Sequence, residues 1–242
     1  MNIFETWIAT QPMAHRGLHN ETIPENSIPA FLNAAQNGYA IELDVRSLKD
    51  GTIVVFHDET LGRMTGKDGY LANLNYEDIA DIRLNKSKEK IPTFKEVLDA
   101  IDGKTPILIE IKNMGKVGEL EKELYRLLKD YKGEYAVESF NPFSLEWFKI
   151  NAPHIKRGQL SSFMKGSDLG FFKKFMFKRM KYNKKVSDPN FIAYKCEDLP
   201  NPYVKKYKHL PLIAWVVRTE EELERIKKYC DNYIFENITP AK

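Results

Sequence analysis

Apolar and polar positions change period repeatedly along the chain, and the changes mark the elements. Short apolar runs at 12–15, 39–45, 52–57, 106–111, 134–139, 155–160, 191–195, 211–217 and 232–236 predict strands. Helices are predicted over 26–37, 75–82, 93–102, 116–131, 142–150, 170–182, 201–208 and 219–229. In the first of these, Ile28, Phe31, Leu32 and Ala35 recur at spacings of three and four. Asn26 is placed as its N-cap with Ser27 in the first turn, and Gly38 is its stop. Thr219 and Glu222 predict a capping box at the start of the last helix.

Strands separated by helices predict a parallel sheet. The second and third runs are the exception. About six residues part them, too few for a parallel crossover of roughly a dozen. Asp50-Gly51 favours a two-residue hairpin turn, so 52–57 folds back antiparallel on 39–49. Eight parallel strands then remain. In 242 residues they predict a (β/α)8 TIM barrel, one domain over 1–242 with a small insertion at 58–104 after the second strand. With Asp50 and Gly51 at the tip, paired positions sum to 101, which sets Asp44 opposite His57 and Glu42 on the face of Asp44. Little chain follows residue 236, and the segment 2–9 is placed to cover the barrel where an eighth helix would lie.

Composition narrows the class. With 43% hydrophobic and 29% charged residues spread end to end, disorder is excluded as the main state. No apolar run approaches the roughly 20 residues of a bilayer span. The start Met1-Asn2-Ile3-Phe4-Glu5 has no basic region and no long apolar core, so a cytoplasmic location is expected. Two cysteines, Cys196 and Cys230, exclude a disulfide scaffold or a cysteine zinc cluster. The net charge is only +3, yet residues 161–210 hold twelve Lys/Arg against four acids. A basic segment on a mildly acidic body is suited to an anionic surface.

Chemistry concentrates at predicted strand ends. His15-Arg16-Gly17 closes the first strand, where a histidine can transfer a proton and an arginine fork can hold two phosphate oxygens. Glu42, Asp44 and Glu110 interrupt otherwise apolar strands. Buried carboxylates need compensation. Two sources are open: a hard divalent cation, Ca²⁺ or Mg²⁺, or pairing with Lys112 and Arg46. His57-Asp58 brings a second histidine to the same acids. Glu25 stands beside the Asn26 cap and is placed to support the site, and Trp215, Ser139 and Phe140 are placed either to wall a pocket or to pack in the core.

Taken together, these residues resemble the glycerophosphodiester phosphodiesterase family. The likeness runs through His15-Arg16-Gly17, Pro24-Glu25-Asn26-Ser27, Glu42-Leu43-Asp44-Val45, Asp50-Gly51 and His57-Asp58. It continues through Leu61-Gly62-Arg63-Met64-Thr65, Ile91-Pro92-Thr93-Phe94, Glu110-Ile111-Lys112 and Ser139-Phe140. The resemblance implies a (β/α)8 barrel with an insertion after the second strand, a divalent metal, and hydrolysis of a small glycerophosphodiester to glycerol 3-phosphate and an alcohol. It implies His15 and His57 as the acid–base pair and Glu42, Asp44 and Glu110 as metal ligands. Arg16 and Lys112 are implied as cations on the phosphate, and Glu25 as an acid lining the site. The chain departs from the family's Trp-Thr-Val-Asn with Trp215-Val216-Val217-Arg218, and from its Ile-Thr-Asp with Phe235-Glu236-Asn237.

The segment 163–186 adds a separate signal. Phe171, Phe172, Phe175, Met176 and Met180 recur at helical spacing among Lys173, Lys174, Lys178, Arg179 and Lys181. Such a helix suits peripheral contact with an anionic membrane, or packing on the barrel with a solvated basic face. No nucleic-acid reader motif accompanies the charge, so no nucleic acid is expected. The competing functions are a lysophospholipase D acting on membrane lysolipids and a catalytically silent barrel that binds phosphodiesters.

Overall fold

A computed structural model describes residues 2–113, 115–166, 170–181 and 183–240. Strands form where the apolar runs lie: β1 (Met13–Ala14), β2 (Ala40–Ser47), β3 (Ile53–Val55), β4 (Ile107–Ile111), β5 (Tyr135–Ser139), β6 (Lys156–Ser161), β7 (Phe191–Lys195), β8 (Leu212–Val217) and β9 (Asn232–Phe235). Eight of them, all but β3, alternate with helices or turns in the order of a (β/α)8 barrel.

The chain divides into two compact units, Ala14–Tyr135 and Met1–Met13 with Ala136–Lys242. In the first, β2 and β4 pair in parallel with Glu42 beside Leu108 and Asp44 beside Glu110. Alternation then places Glu42, Asp44, Glu110 and Lys112 on one face of the pair. Ile41, Leu43, Ile107 and Ile109, on the other face, are buried in the core. The helix Ile28–Gln36 follows β1 and is capped by Ser27, whose hydroxyl accepts from the Ala30 N–H at 3.4 Å. The expected Asn26 cap is therefore shifted by one residue. Asn26 itself is buried with φ +53°, and its amide turns to Asp44.

The hairpin forms, but its register differs from expectation. Val45 pairs with Val55 and Ser47 with Ile53, so pairs sum to 100 and Phe56, not His57, follows opposite Asp44. The cause is a three-residue turn over 49–51 with Gly51 at φ +85°. Residues after β3 fold onto this hairpin with their own small core of Phe56, Leu61, Met64, Leu71, Ile79 and Leu84. The Tyr76 N–H donates to Asp50 at 2.7 Å, which pins the insertion to the turn.

In the second unit, β5 to β9 pair in parallel, each with the next. The side-chain amide of Asn232 donates to the carbonyls of Ile8 and Gln11, at 2.9 and 2.7 Å. That fixes the helix Trp7–Thr10 beside the start of β9. At the last helix, Glu220–Ile226, Thr219 accepts from the Glu222 N–H, but the Glu222 carboxylate accepts from the Arg218 N–H instead of closing a capping box. The predicted helix over 170–182 runs only Phe171–Lys178, because Met180 takes φ +51° and turns the chain. Residues 167–169 and 182 of the basic segment lie outside the described residues. The predicted helix over 201–208 shrinks to one 3₁₀ turn, Val204–Tyr207.

Gly17 is the tightest point near the first strand end. It sits at φ +80°, and a Cβ there would stand 2.8 Å from the Ala30 carbonyl carbon. Gly17→Ala is expected to lose about 2 kcal/mol of unfolding free energy by combining left-handed strain with this clash. A denaturant titration checks it; unchanged stability would show that the loop relaxes freely.

Candidate active site

The parallel register of β2 and β4 builds a cluster of carboxylates from within. One ligand oxygen each from Glu42, Asp44 and Glu110 lies within 4.8 Å of the others. These residues are only 2%, 1% and 8% exposed. Two cations meet them. Lys112 Nζ is 2.9 Å from Glu110 and 3.2 Å from Asp44. Arg16 Nε is 3.3 Å from Asp44, while the Arg16 backbone N–H donates to Glu42 at 3.0 Å. Arg46, the other candidate partner, donates instead to the His57 carbonyl at 2.8 Å.

Charge is divided unevenly within the cluster. Burial opposes ionisation of Asp44, yet Lys112, His57 and Arg16 hold its carboxyl far below the usual range. Burial, with Asp44 and Glu110 as like charges, pushes Glu42 well above it. Burial also raises Glu110, against the pull of Lys112. Burial would lower Lys112, but Asp44 and Glu110 outweigh it and hold the amine firmly charged. Three carboxylates thus face two cations, and the set is chemically fit for a hard divalent ion held through oxygen.

A second layer of polar contacts surrounds this cluster. Asn26 Nδ2 donates to Asp44 at 2.9 Å. Arg16 Nη1 donates to Glu25 at 2.7 Å. His57 Nδ1 lies 2.6 Å from Asp58, whose ionised carboxylate can only accept, so the ring carries its proton on Nδ1. Arg63 bridges the two carboxylates, Nε to Asp58 at 2.6 Å and Nη1 and Nη2 to Glu25 at 2.8 and 2.7 Å. Burial lowers the His57 pKa more than Asp44 raises it, which favours the neutral ring.

His15, Arg16, Glu25, Glu42, Asp44, His57, Glu110 and Lys112 all belong to the unit Ala14–Tyr135. Of these, His15 and His57 both act electrostatically on Asp44. Trp215 belongs to the other unit, where its ring meets Phe140 edge to face at 5.5 Å. There, too, two of the positions that depart from the family pattern meet each other, Arg218 Nε donating to Glu236 at 3.0 Å. Asn26, Asp58 and Arg63 carry contacts that their sequence positions did not announce. Asn26 had one signal: Ser27 beside it can cap the helix, which frees the asparagine for Asp44. Cys196 is buried and Cys230 half-buried, and desolvation pushes both thiols up to about 12, which leaves them inert.

The family model of the glycerophosphoryl diester phosphodiesterase family matches residues 15–231. The chain belongs to this family. A glycerophosphodiester phosphodiesterase of Caldanaerobacter subterraneus subsp. tengcongensis is 40% identical over 162 residues, 62% of this chain. That match spans 66% of the relative's length, just under two thirds. The human glycerophosphodiester phosphodiesterase 1 is 29% identical over 92% of this chain and 75% of its own. The structure of an Oleispira antarctica phosphodiesterase in complex with the product sn-glycerol-3-phosphate has a TM-score of 0.79 at 23% identity, covering 93% of this chain and 92% of that one. This likeness shows that the two share the fold. No helix among the described residues is long and apolar enough to cross a membrane.

The two carboxylates on Arg63 set a pH dependence. Burial would raise Glu25 and Asp58, but Arg63, with Arg16 on Glu25 and His57 on Asp58, lowers both. Groups depressed on folding contribute stability above their unfolded pKa and lose it as pH falls. The stability gap between the protein and Arg63→Gln is therefore expected to be full at pH 7 and to close between about pH 5 and pH 3. Urea midpoints at each pH measure it; a constant gap would contradict the assignment.

Proposed function

We propose that the chain hydrolyses small glycerophosphodiesters to glycerol 3-phosphate and an alcohol, with His15 and His57 as the acid–base pair. One observation carries the reading: three buried carboxylates sit with an arginine, a lysine and a carboxylate-held histidine at strand ends of a family member. Glu42, Asp44 and Glu110 would hold a divalent cation, Mg²⁺ or Ca²⁺ on their all-oxygen chemistry. Such an ion, when bound, supplies positive charge against the diester phosphate.

The chain's own groups do the rest. Arg16 spends Nη1 on Glu25 and turns Nε to Asp44, and its other N–H groups remain to grip phosphate oxygens. Lys112 stays charged beside them and offsets charge that builds on the phosphate. A neutral imidazole accepts a proton, so His57, with Nδ1 tied to Asp58, fits the base through Nε2. His15 then fits the acid that protonates the leaving alkoxide, a poor leaving group without it.

The test is glycerol 3-phosphate release from glycerophosphocholine with Mg²⁺, Ca²⁺ or excess chelator. The reading expects turnover that chelation abolishes, and His15→Ala and His57→Ala each slower by at least about 100-fold. Near-normal rates in either variant, or full activity under chelator, would overturn it.

A second reading, lysophospholipase D activity at a membrane, is favoured by Phe171 and Phe172. They stand 83% and 71% exposed at the start of Phe171–Lys178, with Lys174 and Lys178 on the same helix. Paired exposed phenylalanines beside lysines suit insertion into an anionic lipid surface. Co-sedimentation with vesicles containing phosphatidylglycerol, followed by choline release from lysophosphatidylcholine, tests it. Binding lost in Phe171→Ser/Phe172→Ser, together with choline release, supports it; no binding by the unaltered chain excludes it.

A further inference from the structure

Beyond Asp58 the insertion after β3 has no role in the mechanism above, yet its first helix, Gly62–Thr65, carries Arg63. Leu61 and Met64 on either side are buried in the insertion's own core, which fixes where the guanidinium emerges. All three nitrogens of that guanidinium are engaged. Nη1 and Nη2 take both oxygens of Glu25, and Nε takes Oδ2 of Asp58. The two carboxylates come from separate stretches, one before Ile28–Gln36 and one after β3.

Each carboxylate has its remaining capacity on a reacting group. Glu25 Oε1 accepts from Arg16 Nη1 at 2.7 Å as well as from Arg63. Asp58 Oδ1 takes His57 Nδ1 at 2.6 Å while Oδ2 takes Arg63. The contacts therefore run unbroken from Arg16 through Glu25, Arg63 and Asp58 to His57. An exposed ion pair alone contributes little. This one differs because a planar fork fixes two carboxylates at once in a geometry that an ammonium cannot reproduce.

We propose that Arg63 is a positioning residue that couples the phosphate-gripping Arg16 to the proton-transferring His57 through Glu25 and Asp58. The insertion thereby becomes part of the catalytic apparatus. It holds the ring tautomer of His57 and the fork of Arg16 in one arrangement, so that phosphate and proton acceptor stay in register. The coupling deepens the phosphodiesterase reading and rests on it for the identity of the substrate. The contact path itself stands on the geometry alone.

Four variants of the full chain test it: Arg63→Gln, Arg63→Lys, Asp58→Asn and the double Asp58→Asn/Arg63→Gln. For glycerophosphocholine, Arg63→Gln is expected to lower kcat by about 10–100-fold, as loss of a group that orients a reacting side chain does. Arg63→Lys, which keeps the charge and loses the fork, recovers only a minor part. The double variant is expected to be no slower than the slower single, because both changes cut the same path. Imidazole nitrogen NMR of histidine-labelled protein, with the signal assigned by His57→Gln, reads the coupling without turnover. The His57 ring is expected as the Nδ1–H tautomer in the unaltered chain and as a mixture in Arg63→Gln. Full recovery by Arg63→Lys, multiplicative losses in the double variant, or a folded Arg63→Gln with unchanged kcat and tautomer would each overturn the proposal. Absence of turnover in the unaltered chain would remove the substrate reading, and the NMR arm would still decide whether Arg63 holds His57.

Discussion

Three carboxylates buried on one face of two neighbouring strands impose the constraint around which the site is arranged. Their mutual repulsion inside a low-dielectric wall is large, and nothing in an apolar strand relieves it. The chain answers with placement of charge. Lys112 sits two residues beyond Glu110 on the same face and reaches both Glu110 and Asp44. Arg16 arrives from the end of β1 and gives Glu42 a backbone N–H and Asp44 its Nε. Compensation stops at Asp44, which is held ionised, while Glu42 and Glu110 are driven up. That remaining imbalance makes the cluster chemically fit for a further positive charge.

The surrounding structure follows from keeping these groups in place. Gly17 turns the chain after Arg16 in a left-handed conformation, against the backbone of Ala30. Ser27 takes over the helix cap and leaves Asn26 to bond Asp44. The hairpin carries His57 out to the acids, and the insertion packed on it returns Arg63 to Asp58 and Glu25. Several polar side chains here meet in a chain of contacts from Arg16 through Glu25 and Arg63 to Asp58 and His57. The proposed chemistry thus rests on strands for the acids and on loops for the groups that would grip and transfer.

Much of this was legible in residue order. Acids at every second position of an apolar run announced both a strand and an unusual site, and eight parallel runs with one hairpin announced the barrel. Other features depend on distances that spacing cannot give. The hairpin pairs one residue out from expectation because Gly51 turns left-handed within a three-residue loop, and a dipeptide signal does not distinguish that loop from a two-residue one. Asn26 and Ser27 are equally good caps on paper, and only the proximity of Asp44 assigns them. The stretch around Arg63 carries the family likeness, but its bridging role has no local signature, since Glu25, one of its two partners, lies 38 residues away. Helix ends were also overestimated, as at Met180, where a positive φ on a residue other than glycine ends the helix.

The account stands on the buried acids being a cation site, and calorimetric titration tests this most directly. Mg²⁺ and, separately, Ca²⁺ would be titrated into chelator-treated protein, with Glu110→Gln alongside. The account predicts one ion per chain for at least one of the two metals, with binding weakened or lost in the variant. No binding to the folded protein, or binding unchanged by Glu110→Gln, would contradict it.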